Sequence, residues 1–351
     1  MKPLVSLGIP TFNRARFLKK TLPTLRAQTY EPLEILISDN ASTDETEAFC
    51  RKMEAADSRI RYLRQTKNIG LYPNHNALID TAQGEYLCFF HDDELYSPRL
   101  IEKEASFLEV HPEVGLVCSN WDLIDEEGKI FGSRRYDGSA VLPGRAYVDQ
   151  TTRSGRSWLN CPGTMIRRAA LGGLRFQESG PTGFGDFALW FEIAEDWAVG
   201  HIGETLWQYR IHRSALSSKS ILAMTDDFSL VLERYFKGCL DRRPTWEKQV
   251  AQWREAARRY VFFSLLYEIL RETPSHPITD PKTIFDSMGY FLKPQELQAV
   301  LERLNGTAAS LSEQLIARGL IGASRLRLKK PIGWILQKTP NVLMRRILGF
   351  R

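Results

Sequence analysis

Tyr86-Leu87-Cys88-Phe89-Phe90-His91-Asp92-Asp93-Glu94 decides how this chain is read: five apolar residues stop abruptly at four polar ones, three of them acidic. A short apolar run of this kind is a buried strand. Acidic residues at its exit stand where an α/β sheet binds ligands, beyond the carboxyl ends of its strands. Upstream, residues 5–9, 34–38 and 60–63 are apolar runs of the same kind. Phe17, Leu18, Leu22 and Leu25, and later Leu78 and Ile79, recur at helical spacing between them. Downstream, the pattern predicts a helix over 98–110, with Pro98 in a first turn where no amide bond is lost, and a strand over 114–118. Strand and helix in alternation predict an α/β fold, a mostly parallel sheet flanked by helices. Three polar clusters then follow strands on one rim: Pro10-Thr11-Phe12-Asn13, Asp39-Asn40 and His91-Asp92-Asp93-Glu94.

Residues 121–154 read as loop, being rich in Gly, Asp and Ser, and 186–194 as a helix. Beyond Ser220 the pattern is wholly helical. We therefore expect a catalytic-type α/β domain over 1–220, a helical region over 221–313 and a basic tail over 314–351.

The composition, 43% hydrophobic and 25% charged over 351 residues, is that of a globular protein and excludes a disordered or collagen-like chain. No stretch approaches 18 consecutive apolar residues, so a spanning helix is not expected. The N-terminus has no signal-peptide pattern, and five cysteines without a CxxC pair point to a reduced, cytoplasmic protein. The net charge of +5 is unevenly placed: nine Lys and Arg and no acidic residue fall within 314–351, leaving the rest of the chain net acidic by four. A nucleic-acid binder with a uniformly basic surface would not look like this.

No GxGxxG follows the first strand and no GxxxxGK[ST] occurs, so dinucleotide-oxidoreductase and P-loop readings lose their main support. Adjacent Asp92 and Asp93 suit a hard divalent cation that completes its shell with substrate phosphates; the plainer alternative is that one caps the helix after Pro98. Asp39 offers an acceptor to a nucleobase N–H, or closes an Asx-type turn before a helix capped by Ser42 or Thr43. The Phe12 ring can stack on a base. Asp186 is an N-cap, a general base, or both. His212 is a metal or phosphate ligand or simply a surface histidine, and Arg210 can neutralise leaving-group charge.

The order and spacing of these signals resemble the family 2 glycosyltransferases, nucleotide-sugar-dependent enzymes of the GT-A fold. The resemblance runs from Gly8-Ile9-Pro10-Thr11-Phe12-Asn13-Arg14 through Ser38-Asp39-Asn40-Ala41-Ser42-Thr43-Asp44, Asn68-Ile69-Gly70, Asn74-His75-Asn76 and His91-Asp92-Asp93-Glu94. It closes with Asp186, Trp190 and Tyr209-Arg210-Ile211-His212, covering roughly residues 3–218. It implies that Asp39 recognises the base with Pro10 and Phe12, and that Asp92 lies near the ribose and phosphates. Thr11, Asn13, Asn68, Asn76 and Arg210 complete the implied donor site. Asp93 and His212 would hold Mn²⁺ or Mg²⁺ at the diphosphate, and Asp186 would deprotonate the acceptor. Two departures stand out: His91 occupies the first position of the family's Asp-x-Asp metal motif, and Gly185 precedes Asp186 where the family usually has Glu.

The implied reaction is an inverting transfer from a nucleotide-diphosphate sugar, UDP- or dTDP-linked by preference, to a glycan or lipid-linked glycan. A non-catalytic nucleotide-sugar-binding or scaffold protein on the same fold is the alternative. The tail interleaves Arg325, Arg327, Lys329 and Lys330 with Trp334, Ile335 and Leu336, as in helices lying on an anionic membrane surface. A tail packed on protein is the other reading.

Overall fold

The computed structural model describes residues 2–154, 157–178, 184–212 and 221–257. The chain opens with β1 (Val5–Thr11), α1 (Ala15–Arg26), β2 (Leu33–Asp39), α2 (Thr46–Ala56), β3 (Ile60–Arg64), α3 (Leu71–Thr81) and β4 (Tyr86–Phe89). Each strand is short and apolar, and each helix buries one stripe. In α1 the buried residues are Ala15, Phe17, Leu18, Thr21, Leu22 and Leu25, while Arg16, Lys19 and Lys20 face solvent. Burying each such leucine contributes about 1.5–3 kcal/mol. The core sits between these helices and the sheet, around Leu7, Ile9, Ile35, Ile37 and Phe90, all without exposure.

β1 pairs in parallel with β2, Thr11 opposite Asp39, and with β4, Gly8 opposite Phe89, so all three strands end on one rim. The strand order β3-β2-β1-β4 confirms the expected parallel half. Beyond it lie β5 (Leu95–Tyr96), α4 (Leu100–Val110), β6 (Val114–Ile124), β9 (Thr164–Arg167) and β10 (Ala198–Arg210). β9 is wedged antiparallel between β4 and β6, and β10 runs parallel to β6. The sheet is thus mixed where it leaves β4.

The expected loop over 121–154 is replaced by regular structure. β6 continues to Ile124, followed by β7 (Ile130–Arg134), β8 (Ala140–Leu142) and α5 (Gly144–Ser154). Between β6 and β7 the Asp125 carboxylate accepts from the amides of Glu127 and Lys129, and Gly128 takes φ +95°. The Asp and Gly residues that read as loop are this turn. A second correction concerns α2. Its start is held by Asp44, whose Oδ1 accepts from the Thr46 amide at 3.0 Å, rather than by Ser42 or Thr43.

After the short α6 (Arg168–Leu171), α7 (Gly185–Ala194) packs beneath α8 (Ile221–Arg242), with Phe184 and Phe187 edge-on to Phe228 and Phe191 against Tyr235. The start of the expected helical region is therefore helical. The basic tail and residues 258–313 lie outside the described residues. No helix among the described residues is long and apolar enough to cross a membrane.

Candidate active site

The rim is tied together by the residues that end its strands. Thr11, the last residue of β1, is buried and donates its hydroxyl to Oδ2 of Asp92 at 2.6 Å. Its carbonyl accepts the amide of Asn40, just past β2. Asn13 sits at φ +54°, a region Asn tolerates, and its Oδ1 accepts the Thr43 amide. Phe12, between them, is 42% exposed and offers its ring at the rim. Pro10 is half-buried beneath it.

Asp39 is wholly buried. Oδ1 accepts the Ser42 amide at 2.8 Å, while Oδ2 accepts the Tyr62 hydroxyl at 2.6 Å and an Arg64 N–H at 2.9 Å. The turn reading is therefore realised. Three of about four acceptor positions of the carboxylate are filled. Arg64, at the end of β3, keeps its guanidinium partly exposed beside it and donates also to the Ser42 carbonyl.

At the exit of β4, burial first and the neighbouring charge of Asp93 second push the Asp92 carboxyl up to about 7. The same two causes raise Glu94 well above the usual carboxylate range. Asp93 is less enclosed: Oδ2 faces Nε2 of His212 at 2.9 Å and an Nη of Arg14 at 3.6 Å. The His212 ring stacks on Phe17, 4.8 Å between centroids, which fixes its plane. His91, Asp93 and Glu94 each present one ligand atom, all within 4.8 Å of one another. Two carboxylates with imidazoles beside them suit a divalent cation, so the residues present fit the expected metal even though His91 stands where the family motif has Asp.

Arg210, at the end of β10, is buried. Its Nε donates to the Asp93 carbonyl, one Nη donates to the carbonyls of Asp125 and Glu126, and its amide donates to Glu94. Expected as a donor-facing cation, it is committed here to holding the acidic loop. Asn68 and Asn76 are likewise engaged. Asn68 accepts from Asn40 and from the Gly70 amide, and Asn76 pairs with both main-chain polar groups of Phe176.

Asp186 lies in the first turn of α7, where its side chain is half-buried. Burial pushes its carboxyl up to about 6. Next to it, Cys161 approaches His75, with Sγ 4.0 Å from Nε2. Burial holds His75 down at about 4, hence neutral, and Nδ1 faces the Leu71 carbonyl at 2.8 Å. Pro162 bridges to Phe89, placing this segment against the end of β4 and therefore next to His91.

Arg14, Tyr62, Arg64, Tyr72 and Glu94 are site residues that the sequence alone does not assign. Arg14 and Glu94 lie within the runs Gly8–Arg14 and His91–Glu94. Tyr62 and Arg64 are signalled only by lying in the strand that pairs with β2.

Residues 6–178 match the description Glycosyl transferase family 2. The chain is 28% identical over 237 residues to a putative glycosyltransferase, EpsE, of Bacillus subtilis, covering 66% of this chain and 81% of that one. It is 33% identical over 141 residues to the GalNAc(5)-diNAcBac-PP-undecaprenol beta-1,3-glucosyltransferase of Campylobacter jejuni, covering 40% of this chain and 44% of the other. Among solved structures, S. aureus TarS 1-349 in complex with UDP-GlcNAc superposes with a TM-score of 0.63 at 16% identity, over 85% of this chain and 83% of that one. That likeness establishes the GT-A-type fold.

Proposed function

Residues 6–178 belong to glycosyl transferase family 2, so the chain is a glycosyltransferase; we propose that it transfers a sugar from a nucleoside-diphosphate donor to a hydroxyl group with inversion. The donor is a UDP- or dTDP-sugar by preference, and the acceptor a glycan or lipid-linked glycan. The observation that supports this most is the acidic, imidazole-flanked cluster at the exit of β4, where ligand atoms of His91, Asp93 and Glu94 lie within 4.8 Å of one another.

Arg64 and Asp39 face the base, and Phe12 stacks on it. Thr11 and Arg210 hold the Asp92–Glu94 loop so that Asp93 and its neighbours present oxygen and nitrogen ligands to the diphosphate side. A divalent cation, Mn²⁺ or Mg²⁺, bound by Asp93 with His91, Glu94 or His212 would supply Lewis-acid stabilisation of the leaving diphosphate. Ionised Asp186 accepts the proton of the acceptor hydroxyl as its oxygen bonds to the anomeric carbon. The bond from that carbon to the diphosphate oxygen breaks, and its electrons leave with the nucleotide. Attack opposite the leaving group inverts the centre. Base and leaving group then act on opposite sides of the sugar, Asp186 on the acceptor side and Asp93 on the diphosphate side.

The lipid-linked acceptor is supported by the undecaprenol-linked substrate in the name of the Campylobacter jejuni relative and by the basic, Trp-containing tail. A peripheral hold on anionic membrane through residues 314–351 would show as vesicle flotation lost on truncation at Gly319. Equal flotation would remove that part of the proposal.

The test of the reaction is release of nucleoside diphosphate from UDP-glucose, UDP-N-acetylglucosamine or dTDP-glucose in the presence of Mn²⁺. Release by the unmodified chain and its loss in Asp93→Asn support the reading. Equal release by the variant contradicts it.

A further inference from the structure

Helix α7, which carries Asp186, begins without a cap of its own. The residue before it is Phe184, which has no polar side chain, and no side-chain hydrogen bond comes from that position. The first amides of a helix have no partner within it and need one from elsewhere. Here the Gly185 amide donates to the hydroxyl of Tyr72 at 2.7 Å, a residue 113 positions away in the first turn of α3.

Gly185 also explains its own lack of a side chain. A Cβ built there would lie 2.3 Å from Cζ and 2.5 Å from the hydroxyl oxygen of Tyr72. The volume that an acidic neighbour of Asp186 would need is filled by the phenol ring. That ring is itself fixed, stacked on Phe176 at 5.4 Å and 5° between planes. Phe176 is in turn pinned through its main chain by Asn76 of the same helix. The start of α3 is tied to the rim by Asn40, which donates to the Gly70 carbonyl and accepts from the Ile69 amide.

We propose that Tyr72 is the positioning residue for Asp186: its ring and hydroxyl, docked on Gly185, set where the carboxylate stands in the cleft. This deepens the transferase reading and rests on Asp186 being its base. The pair Tyr72 and Gly185 replaces an acidic dipeptide by a stacked phenol and a glycine, so neither member can change alone. Displacing a reacting group by about 1 Å can cost roughly 100-fold in rate, which is the size of effect expected of Gly185→Ala.

The experiment compares Tyr72→Phe, Gly185→Ala and the double variant Gly185→Ala/Tyr72→Leu, all as full chains. The substrate is whichever of UDP-glucose, UDP-N-acetylglucosamine and dTDP-glucose the unmodified chain hydrolyses fastest with Mn²⁺. Tyr72→Phe keeps the ring and is expected to lower kcat roughly tenfold, about the effect of one lost hydrogen bond, with donor KM within twofold. Gly185→Ala is expected to lose more, and the double variant to recover at least tenfold of that loss because leucine vacates the ring's far end. A crystal structure of Tyr72→Phe should show the Asp186 carboxyl displaced. An unmoved carboxyl, or an unchanged kcat in Tyr72→Phe, overturns the proposal. Asp186→Asn run alongside separates the two levels: wild-type turnover in that variant would overturn the base assignment itself, independently of Tyr72.

Discussion

Nε2 of His212 lies 2.9 Å from Oδ2 of Asp93, although 119 positions separate the two residues. The contact joins the segment just past β10 to the exit of β4 and brings an imidazole onto the carboxylate proposed to hold a cation. Arg210, two residues earlier, grips the same loop through its main chain. One strand end thus both builds and furnishes the acidic site.

This contact makes Mn²⁺ affinity sensitive to His212. The imidazole orients the Asp93 carboxylate whether or not it joins the ion's shell, and loss of such support typically costs 10–100-fold in metal affinity. His212→Ala should therefore weaken Mn²⁺ binding by roughly 10–100-fold in titration calorimetry, with Asp93→Asn weakening it further. Unchanged affinity in both variants would place the ion elsewhere.

Asp186 predicts the acid side of the rate profile. A base must be ionised to accept a proton. Burial raises this carboxyl to about 6, so the rate should rise with pH through about 6 and level off above. Asp186→Asn should lower kcat by about 10²–10⁴ and leave no such limb. A profile flat from pH 5 to 8 in the unmodified chain would contradict the assignment.

Asp39 is wholly buried, and Arg64 supplies its only cationic hydrogen-bond donor among the described residues. Removing that partner leaves a buried carboxylate balanced by Tyr62 and one amide. Because Arg64 is itself exposed, solvent screening moderates the effect, and Arg64→Ala should lower stability only modestly. Urea unfolding measures this, and calorimetry with UMP should show weaker binding in the same variant. Wild-type stability and UMP affinity together would detach Arg64 from the base site.

Glu104 in α4 is fully buried, with neither carboxyl oxygen hydrogen-bonded, and burial alone raises its pKa well above the usual range. Its folded value exceeds its unfolded one. The stability it permits is therefore fully present below the unfolded value and declines as pH rises through the window between the two. Glu104→Leu should raise the melting temperature, by an amount that grows from about pH 4.5 to neutrality. A variant less stable than the parent at pH 7 would show that the carboxyl has a partner.

Much of the fold was legible because local pattern and global architecture agree over residues 5–118. Apolar runs such as Tyr86–Phe89 must be buried on both faces, and the alternation with amphipathic helices leaves few topologies. The region from Trp121 to Ser154 misled because Asp125 and Gly128 signal a turn without saying that strands flank it. β6 beyond Cys118 pairs on one side with β7 and on the other with β10, and the β10 partners are more than eighty residues on, outside any local window. The site was legible to the extent that its residues end strands: Thr11, Asp39 and Asp92–Asp93 could be placed from sequence order. Their engagements could not. That Arg210 faces carbonyls, that Asp39 is held by Tyr62 and Arg64, and that Tyr72 meets Gly185 all depend on contacts between distant segments.

The most direct measurement is a crystal structure of the full chain grown with UDP and Mn²⁺, using the manganese anomalous signal. A peak is expected within coordination distance of Asp93 and of the UDP phosphates, with the uracil ring beside Phe12 and Arg64 and Asp186 across the cleft from the ion. A manganese peak away from Asp93, or UDP in a cleft that Asp186 does not line, would contradict that placement.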